Sequence, residues 1–356
     1  MRILMTADAA GGVGVFAGEL AAALQERGHH VLVAVFSPTK PDGTDDQVER
    51  VWAPFRLEWM DSGGDAIVPA AEAHRGRAFL ANLGHRWRAE ILHSNQFAFV
   101  AALPRRPTLL TVHSDVVSWW RTVVGSPPPD DAYQRWYRIL AEQALASASV
   151  ITTPSRHARN ELYASFAISR PIEVVHNGRD PRHFPPLAKL PMAVAAGRLW
   201  DRGKQLSVLG ELPLPLPLDV AWAGDAQDPG QGVCALPPAG VRACGRLSAV
   251  AMAQLLGRAR AYIGTSLYEP FGLAVLEAAL AGCALLLNDI PSWRELWSPV
   301  AEFYSTPHQL YLLLQRVAEQ PQWAEERGRA AMLFARRRYS ARRMASRYEA
   351  LARSLV

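Results

Sequence analysis

At 356 residues the chain is too long for one typical hydrophobic core and fits two domains of ordinary size. Apolar residues make up 49% and charged residues 20%, the balance of a soluble globular protein. The longest apolar stretch is shorter than a membrane span and carries Glu277, which excludes a membrane-crossing chain. The formal net charge is +5 and the pI about 9.3. Much of the basic excess lies at Arg327, Arg329, Arg336, Arg337, Arg338, Arg342, Arg343, Arg347 and Arg353. Such a run is either a solvated helical face or a contact for an anionic surface. No aromatic residues alternate with these arginines, so nucleic acid is not an expected partner, while peripheral contact with a membrane is permitted. Cys234, Cys244 and Cys283 form no metal-type pair and read as free thiols in a reducing compartment. The N-terminus runs straight from Met5 into a polar turn, with no signal-peptide pattern, and the expected location is cytoplasmic.

In chain order, residues 3–5 predict a short apolar strand, followed by the glycine turn Gly11-Gly12-Val13-Gly14. Phe16, Leu20, Ala23 and Leu24 then share one helical stripe, Gly28 stops the helix, and residues 31–36 read as a second strand. Further strands are predicted at 91–93, 109–112, 150–153 and 172–175, with helices at 131–146 and 155–163. Short apolar strands between helices imply a parallel sheet with both faces covered. Residues 180–191 are proline-rich and read as an interdomain linker. Alternation restarts with strands at 192–196, 218–223, 241–244, 261–264 and 284–287. The expected organisation is an α/β fold of two facing Rossmann-like domains, 1–184 and 185–339, with a cleft between them. A last helix within 340–356 either closes the second domain or crosses back to the first.

Ligands of open parallel sheets bind beyond the carboxyl ends of the strands, and the informative residues fall there. Gly12 and Gly14 sit where backbone amides can approach a phosphate, although the same glycines serve a plain tight turn. A nicotinamide-dinucleotide site would need an acid after the second strand, and residues 36–39 supply none. His113 ends a strand, placed either to bond a sugar hydroxyl or a reacting group, or to bond backbone; His93 is a weaker parallel. Arg198 and Lys204 follow the first strand of the second half, as diphosphate partners or as solvated turn charges. Glu269 closes a polar loop, and Glu277 is the only charged residue in the apolar run 271–287. A carboxylate in such a run needs a partner. It is better suited to gripping a diol than to attacking carbon, although pairing with Arg294 or another cation, or a hydrolase carboxylate pair, remain open readings.

Together these pieces resemble glycosyltransferase family 4, retaining enzymes of the GT-B fold. The resemblance rests on Gly11 to Gly14, Thr111-Val112-His113-Ser114, Pro154-Ser155, His176-Asn177-Gly178-Arg179-Asp180 and Gly197-Arg198-Leu199. It continues through Gly224-Asp225, Gly245-Arg246-Leu247-Ser248, Glu269-Pro270-Phe271-Gly272-Leu273 and Glu277. It implies that Arg198 and Lys204 contact a donor diphosphate and that Glu277 holds the ribose hydroxyls. It further implies that Glu269 and the amides of Phe271, Gly272 and Leu273 grip the transferred sugar, with His113 near the reacting sugar and Gly12 near the phosphates and acceptor. In many members the lysine lies one residue earlier, where this chain has Gly203. The run 289–297 resembles a family variant near the donor and is given no catalytic role. The activity implied is transfer from a nucleotide diphosphate sugar, UDP-linked, to an unknown acceptor hydroxyl, with no cofactor and no metal. A non-catalytic nucleotide-sugar binder and a sugar-nucleotide epimerase are the rivals on the same fold.

Overall fold

Strands that are apolar along their whole length bury both faces, and a parallel sheet sheathed by helices is the arrangement that satisfies them. The computed structural model describes residues 1–9, 11–40, 48–60, 64–227 and 235–356, so Ala10 and Cys234 lie outside the described residues. The chain divides into two compact units, one of residues 1–178 with 341–356, the other of residues 179–340.

In the first unit β1 (Arg2–Asp8) leads through α1 (Gly12–Gln25) to β2 (His30–Phe36), and then to β3 (Arg50–Ala53). Phe16, Ala17, Leu20, Ala21 and Leu24 form the buried stripe of α1, and Gly28 ends the turn after it at φ 83°. A long α2 (Ile67–Trp87) precedes β4 (Ile91–Ser94) and β5 (Thr108–Thr111). The short α3 (Val116–Trp119) is followed by α4 (Ala132–Ser147), β6 (Val150–Thr153), α5 (Arg156–Ser165) and β7 (Ile172–Val174). Asp131 caps α4 by accepting from the Gln134 amide at 2.8 Å, and Ser155 caps α5 by accepting from Ala158 at 3.1 Å. The seven strands pair in the order β3-β2-β1-β4-β5-β6-β7, all parallel.

The second unit opens with a 3-10 turn at Pro181–His183 inside the proline-rich segment. It then runs β8 (Leu190–Ala196), β9 (Asp219–Ala223), β10 (Val241–Ala243), α6 (Ala249–Arg258), β11 (Ala259–Gly264) and α7 (Leu273–Leu280). β12 (Ala284–Asn288), α8 (Pro291–Trp297), β13 (Glu302–Tyr304), α9 (Pro307–Glu319) and α10 (Pro321–Arg338) complete it. The six strands are parallel in the order β10-β9-β8-β11-β12-β13. One core packs Val194, Tyr262, Leu276, Trp293 and Tyr339 together; a second packs Ala195, Trp222, Ile263 and Leu310.

The last helix, α11 (Ala341–Arg353), belongs to the first unit, where the Tyr348 hydroxyl bonds Thr111 Oγ1 at 3.2 Å and Thr152 Oγ1 at 3.3 Å. Glu349 on the same helix pairs with Arg27, His29 and Arg353. Cys244 and Cys283 are free thiols, the second fully buried. Among the described residues no helix is long and apolar enough to cross a membrane.

Candidate functional site

A parallel sheet opens a crevice beyond its strand ends where the strand order reverses, because loops leave neighbouring strands in opposite directions. In the second sheet that reversal lies between β8 and β11, which are paired neighbours. The loop after β8 carries Arg198 and Lys204; the loop after β11 carries Glu269, Phe271 and Gly272 and leads into α7 with Leu273 and Glu277. All seven second-half candidates therefore gather at one end of one sheet.

The two loops are joined to each other. The Gly203 carbonyl accepts from the Leu267 amide at 2.9 Å, and the Lys204 carbonyl accepts from Thr265 Oγ1 at 2.5 Å. Lys204 Nζ donates to Glu269 Oε2 at 2.5 Å. Arg198 Nη2 donates to Asp201 Oδ2 at 2.6 Å, and its guanidinium lies 4.9 Å from the Trp200 ring centroid. Both cations thus face carboxylates, Arg198 through one of its nitrogens and Lys204 through its ammonium. Gly197 adopts φ 155° and its carbonyl accepts from Trp222 Nε1 at 2.9 Å, which fixes the start of the arginine loop.

Behind the glutamate loop stand β12 and α8. Ser292 Oγ donates to the Glu269 carbonyl at 2.7 Å, and Asn288 Nδ2 donates to the Ser266 carbonyl at 3.1 Å. A Cβ on Gly272, at φ 89°, would meet Trp293 Nε1 at 3.0 Å and Glu269 Cγ at 3.2 Å, so a side chain has no room there. The Phe271 ring is buried in the core, edge-on to Tyr339 at 5.4 Å, so that residue can serve a ligand only through its backbone. Run 289–297, expected near the donor and without a catalytic role, packs behind the glutamate loop through Ser292 and Trp293.

Glu277 has found its cation. Its Oε1 lies 3.2 Å from Arg179 Nε, with the two side chains 15% and 12% exposed. The pairing with Arg294 does not form, because Asp289 holds that guanidinium at 2.5 Å and 2.7 Å. Arg179 is fixed in turn by its amide, which donates to the Tyr339 carbonyl at 3.0 Å, and by Phe184 beneath its guanidinium at 5.0 Å.

The first unit holds Gly12, Gly14 and His113. The order reverses between β1 and β4, and the glycine turn follows β1. Gly14 has no room for a side chain, since a Cβ would stand 2.4 Å from the Asp8 carbonyl oxygen. Asn95, just after β4, donates from Nδ2 to the Thr6 carbonyl at 2.6 Å, which leaves its Oδ1 as the acceptor for His113 Nε2 at 2.9 Å. The imidazole proton therefore sits on Nε2, and Nδ1 is the acceptor that remains. Burial lowers the His113 pKa to about 3 and that of His93 likewise, so both rings are neutral at pH 7. Phe16 of α1 stands edge-on to His113 at 4.5 Å, tying the histidine to the helix that follows the glycine turn.

Glu58 is a further acid of this unit that sequence reading did not pick out. It is 4% exposed, and its Oε1 accepts from the Phe97 amide at 2.7 Å. Its Oε2 is buried without a hydrogen-bond donor among the described residues, and burial raises its pKa to about 7. No three His, Cys, Asp or Glu side chains among the described residues gather as a metal-binding set.

Comparison with known proteins bears on the whole arrangement. Residues 10–183 match Glycosyltransferase Family 4. The glycogen synthase of Mycobacterium tuberculosis is 25% identical over 335 residues, covering 82% of this chain and 78% of that protein. Among solved structures, sucrose-phosphate synthase from Thermosynechococcus elongatus superposes with a TM-score of 0.79 at 18% identity, covering 100% of this chain and 99% of the other. HepE of Anabaena, solved in complex with UDP-glucose, has a TM-score of 0.73 at 17% identity with both chains fully covered. At these identities the superpositions show the two-sheet GT-B fold.

Proposed function

We propose that this chain, whose residues 10–183 match Glycosyltransferase Family 4, belongs as a whole to that family and moves a sugar from a UDP-sugar to an acceptor hydroxyl with retention of anomeric configuration. The observation that carries this reading is the joining of the two strand-end loops at the β8/β11 reversal, which holds Arg198, Lys204 and Glu269 in one place with Glu277 on the next helix. The structural neighbour HepE is solved with UDP-glucose, which supports a uridine donor.

In this reading Arg198 and Lys204 take the diphosphate, the arginine through its planar fork and the lysine as a point charge. Glu277, paired with Arg179, receives the ribose hydroxyls. Glu269, with the amides of Phe271, Gly272 and Leu273, orients the sugar. The bond from the anomeric carbon to the phosphate oxygen breaks, and its electron pair leaves with UDP. Negative charge grows on the diphosphate, where the two cations and the start of α7 stabilise it. The acceptor oxygen bonds the same face of the carbon, and its proton passes to the departing phosphate oxygen. The neutral His113, with Nδ1 open as an acceptor, orients a hydroxyl of the reacting sugar. Two fixed cations neutralise the leaving group without a metal ion. The free thiols and the nucleotide-sugar donor fit a cytoplasmic enzyme.

The test is donor turnover by purified protein, compared with Glu277→Ala and Arg198→Ala. Loss of about 100-fold or more in each is expected for groups that bind the transition state. Unchanged turnover in both variants removes the assignment.

A further inference from the structure

We infer that Asp201 is the positioning residue of the cation pair, a single carboxylate that sets both Arg198 and Lys204; this rests on the donor site proposed above. Its two oxygens have different tasks. Oδ1 accepts from the Gly203 amide at 2.9 Å and so caps the 3-10 turn Arg202–Lys204 that delivers the lysine. Oδ2 accepts from Arg198 Nη2 at 2.6 Å.

The exposures fit an anchor and its load. The Asp201 side chain is 11% exposed and that of Arg198 is 42% exposed, so the carboxylate is embedded and the guanidinium is presented. One of the five guanidinium N–H groups is engaged by Asp201, and the others are left for phosphate oxygens. Trp200 beneath the guanidinium plane removes the remaining freedom of a flexible side chain. An arginine held in this way loses little entropy when a diphosphate arrives. The same turn is also attached to the glutamate loop through Gly203 and Lys204, so displacement of the cap would be felt at Glu269.

The experiment is calorimetric titration of the full chain with UDP, ADP and GDP, and with uridine as a probe that lacks the diphosphate. Asp201→Asn keeps an acceptor for the Gly203 amide and removes the charge-assisted bond to Arg198. It is expected to weaken UDP about tenfold, the size of one charge-assisted hydrogen bond, and to leave uridine unchanged. Asp201→Ala, which also removes the cap, should weaken UDP further. In an Arg198→Ala background Asp201→Asn should change UDP affinity less than twofold, because the residue it acts through is gone. A merely structural aspartate would instead lower uridine and UDP affinity together and would act equally in both backgrounds, which overturns the inference. Equal or tighter UDP binding by Asp201→Asn also overturns it and makes the carboxylate a competitor of the diphosphate. If wild-type protein binds none of the three nucleoside diphosphates, the donor site itself fails and the inference falls with it. If UDP binds and Arg198→Ala weakens it while Asp201→Asn does not, the inference alone fails.

Discussion

Gly224→Ala should damage the site without touching any charged residue in it. Gly224 follows β9, and an added Cβ would stand 1.9 Å from the Gly197 carbonyl oxygen. Ordinary carbon–oxygen approach is about 3.3 Å, so the backbone on one side must retreat by about 1.4 Å. Neither side yields easily. The Gly197 carbonyl already accepts from Trp222 Nε1, and the Gly197 amide donates to the Ala223 carbonyl at 3.0 Å. The Gly224 amide donates to the Gly245 carbonyl at 2.9 Å. Overpacking of this kind costs about 1–3 kcal/mol. For a unit of this size that is a fall of about 2–12 °C in melting temperature. The displaced segment begins the loop of Arg198, and a misplacement of about 1 Å at a positioning group costs about 100-fold in rate. Gly245→Ala is the control, because at φ 65° its Cβ meets nothing within 4 Å. It should lose only about 1–2 kcal/mol from the left-handed backbone and keep turnover within a few-fold. Donor turnover and thermal melting of both variants decide the matter. A folded Gly224→Ala protein with turnover within threefold of wild type would refute the claim that the 197–204 loop places the phosphate-binding arginine.

Two pH-dependent predictions concern the first unit. Glu349, bonded by Arg353 and by Arg27, has its pKa lowered from 4.5 to about 2. A depressed folded-state pKa gives stability that is complete above about pH 4.5 and is lost as pH falls toward 2. The melting-temperature gap between wild type and Glu349→Gln should therefore be constant from pH 8 to 5 and narrow below pH 4.5; a gap independent of pH contradicts the pairing. Glu58 has the opposite sign, with burial first and the Asp8 charge among the causes raising its pKa from 4.5 to about 7. Its folded-state preference for the protonated form is fully present below pH 4.5 and is lost as pH rises through 7. Wild type should lose melting temperature relative to Glu58→Gln between pH 5 and 8, and parallel melting curves would sink that reading.

The strand–helix alternation was legible because buried strands carry short unbroken apolar runs, as at residues 3–5 of β1 and 284–287 of β12. Helix α2 was not. Its buried positions are Pro69, Ala73, Gly76, Leu80, Leu83 and Gly84, and it packs by close approach rather than by a wide apolar stripe. A Cβ on Gly76 would lie 2.7 Å from the Phe99 ring, and one on Gly84 would lie 2.7 Å from Leu103. Glycine and proline are the weakest helix formers, so a helical stripe built on them does not stand out in a sequence. The edge strands β3 and β13 have four and three residues, too few for a period to show. Of the site, the strand-end residues were readable because their positions follow from the alternation. Their partners were not. Arg179 meets Glu277 from 98 residues away, whereas proximity favoured Arg294, which Asp289 takes. The basic C-terminal run is partly internal chemistry: Arg327 pairs with Glu302 at 2.8 Å, Arg353 with Glu349 at 2.8 Å, and Arg338 stacks on Phe334 at 5.1 Å.

The most direct test of the donor site is a crystal structure of the protein grown with UDP. The account predicts the nucleotide at the carboxyl ends of β8 and β11, its ribose hydroxyls on Glu277 and its phosphates on Arg198 and Lys204. UDP bound in the first unit, or bound in the second with Glu277 still turned wholly to Arg179, would contradict it.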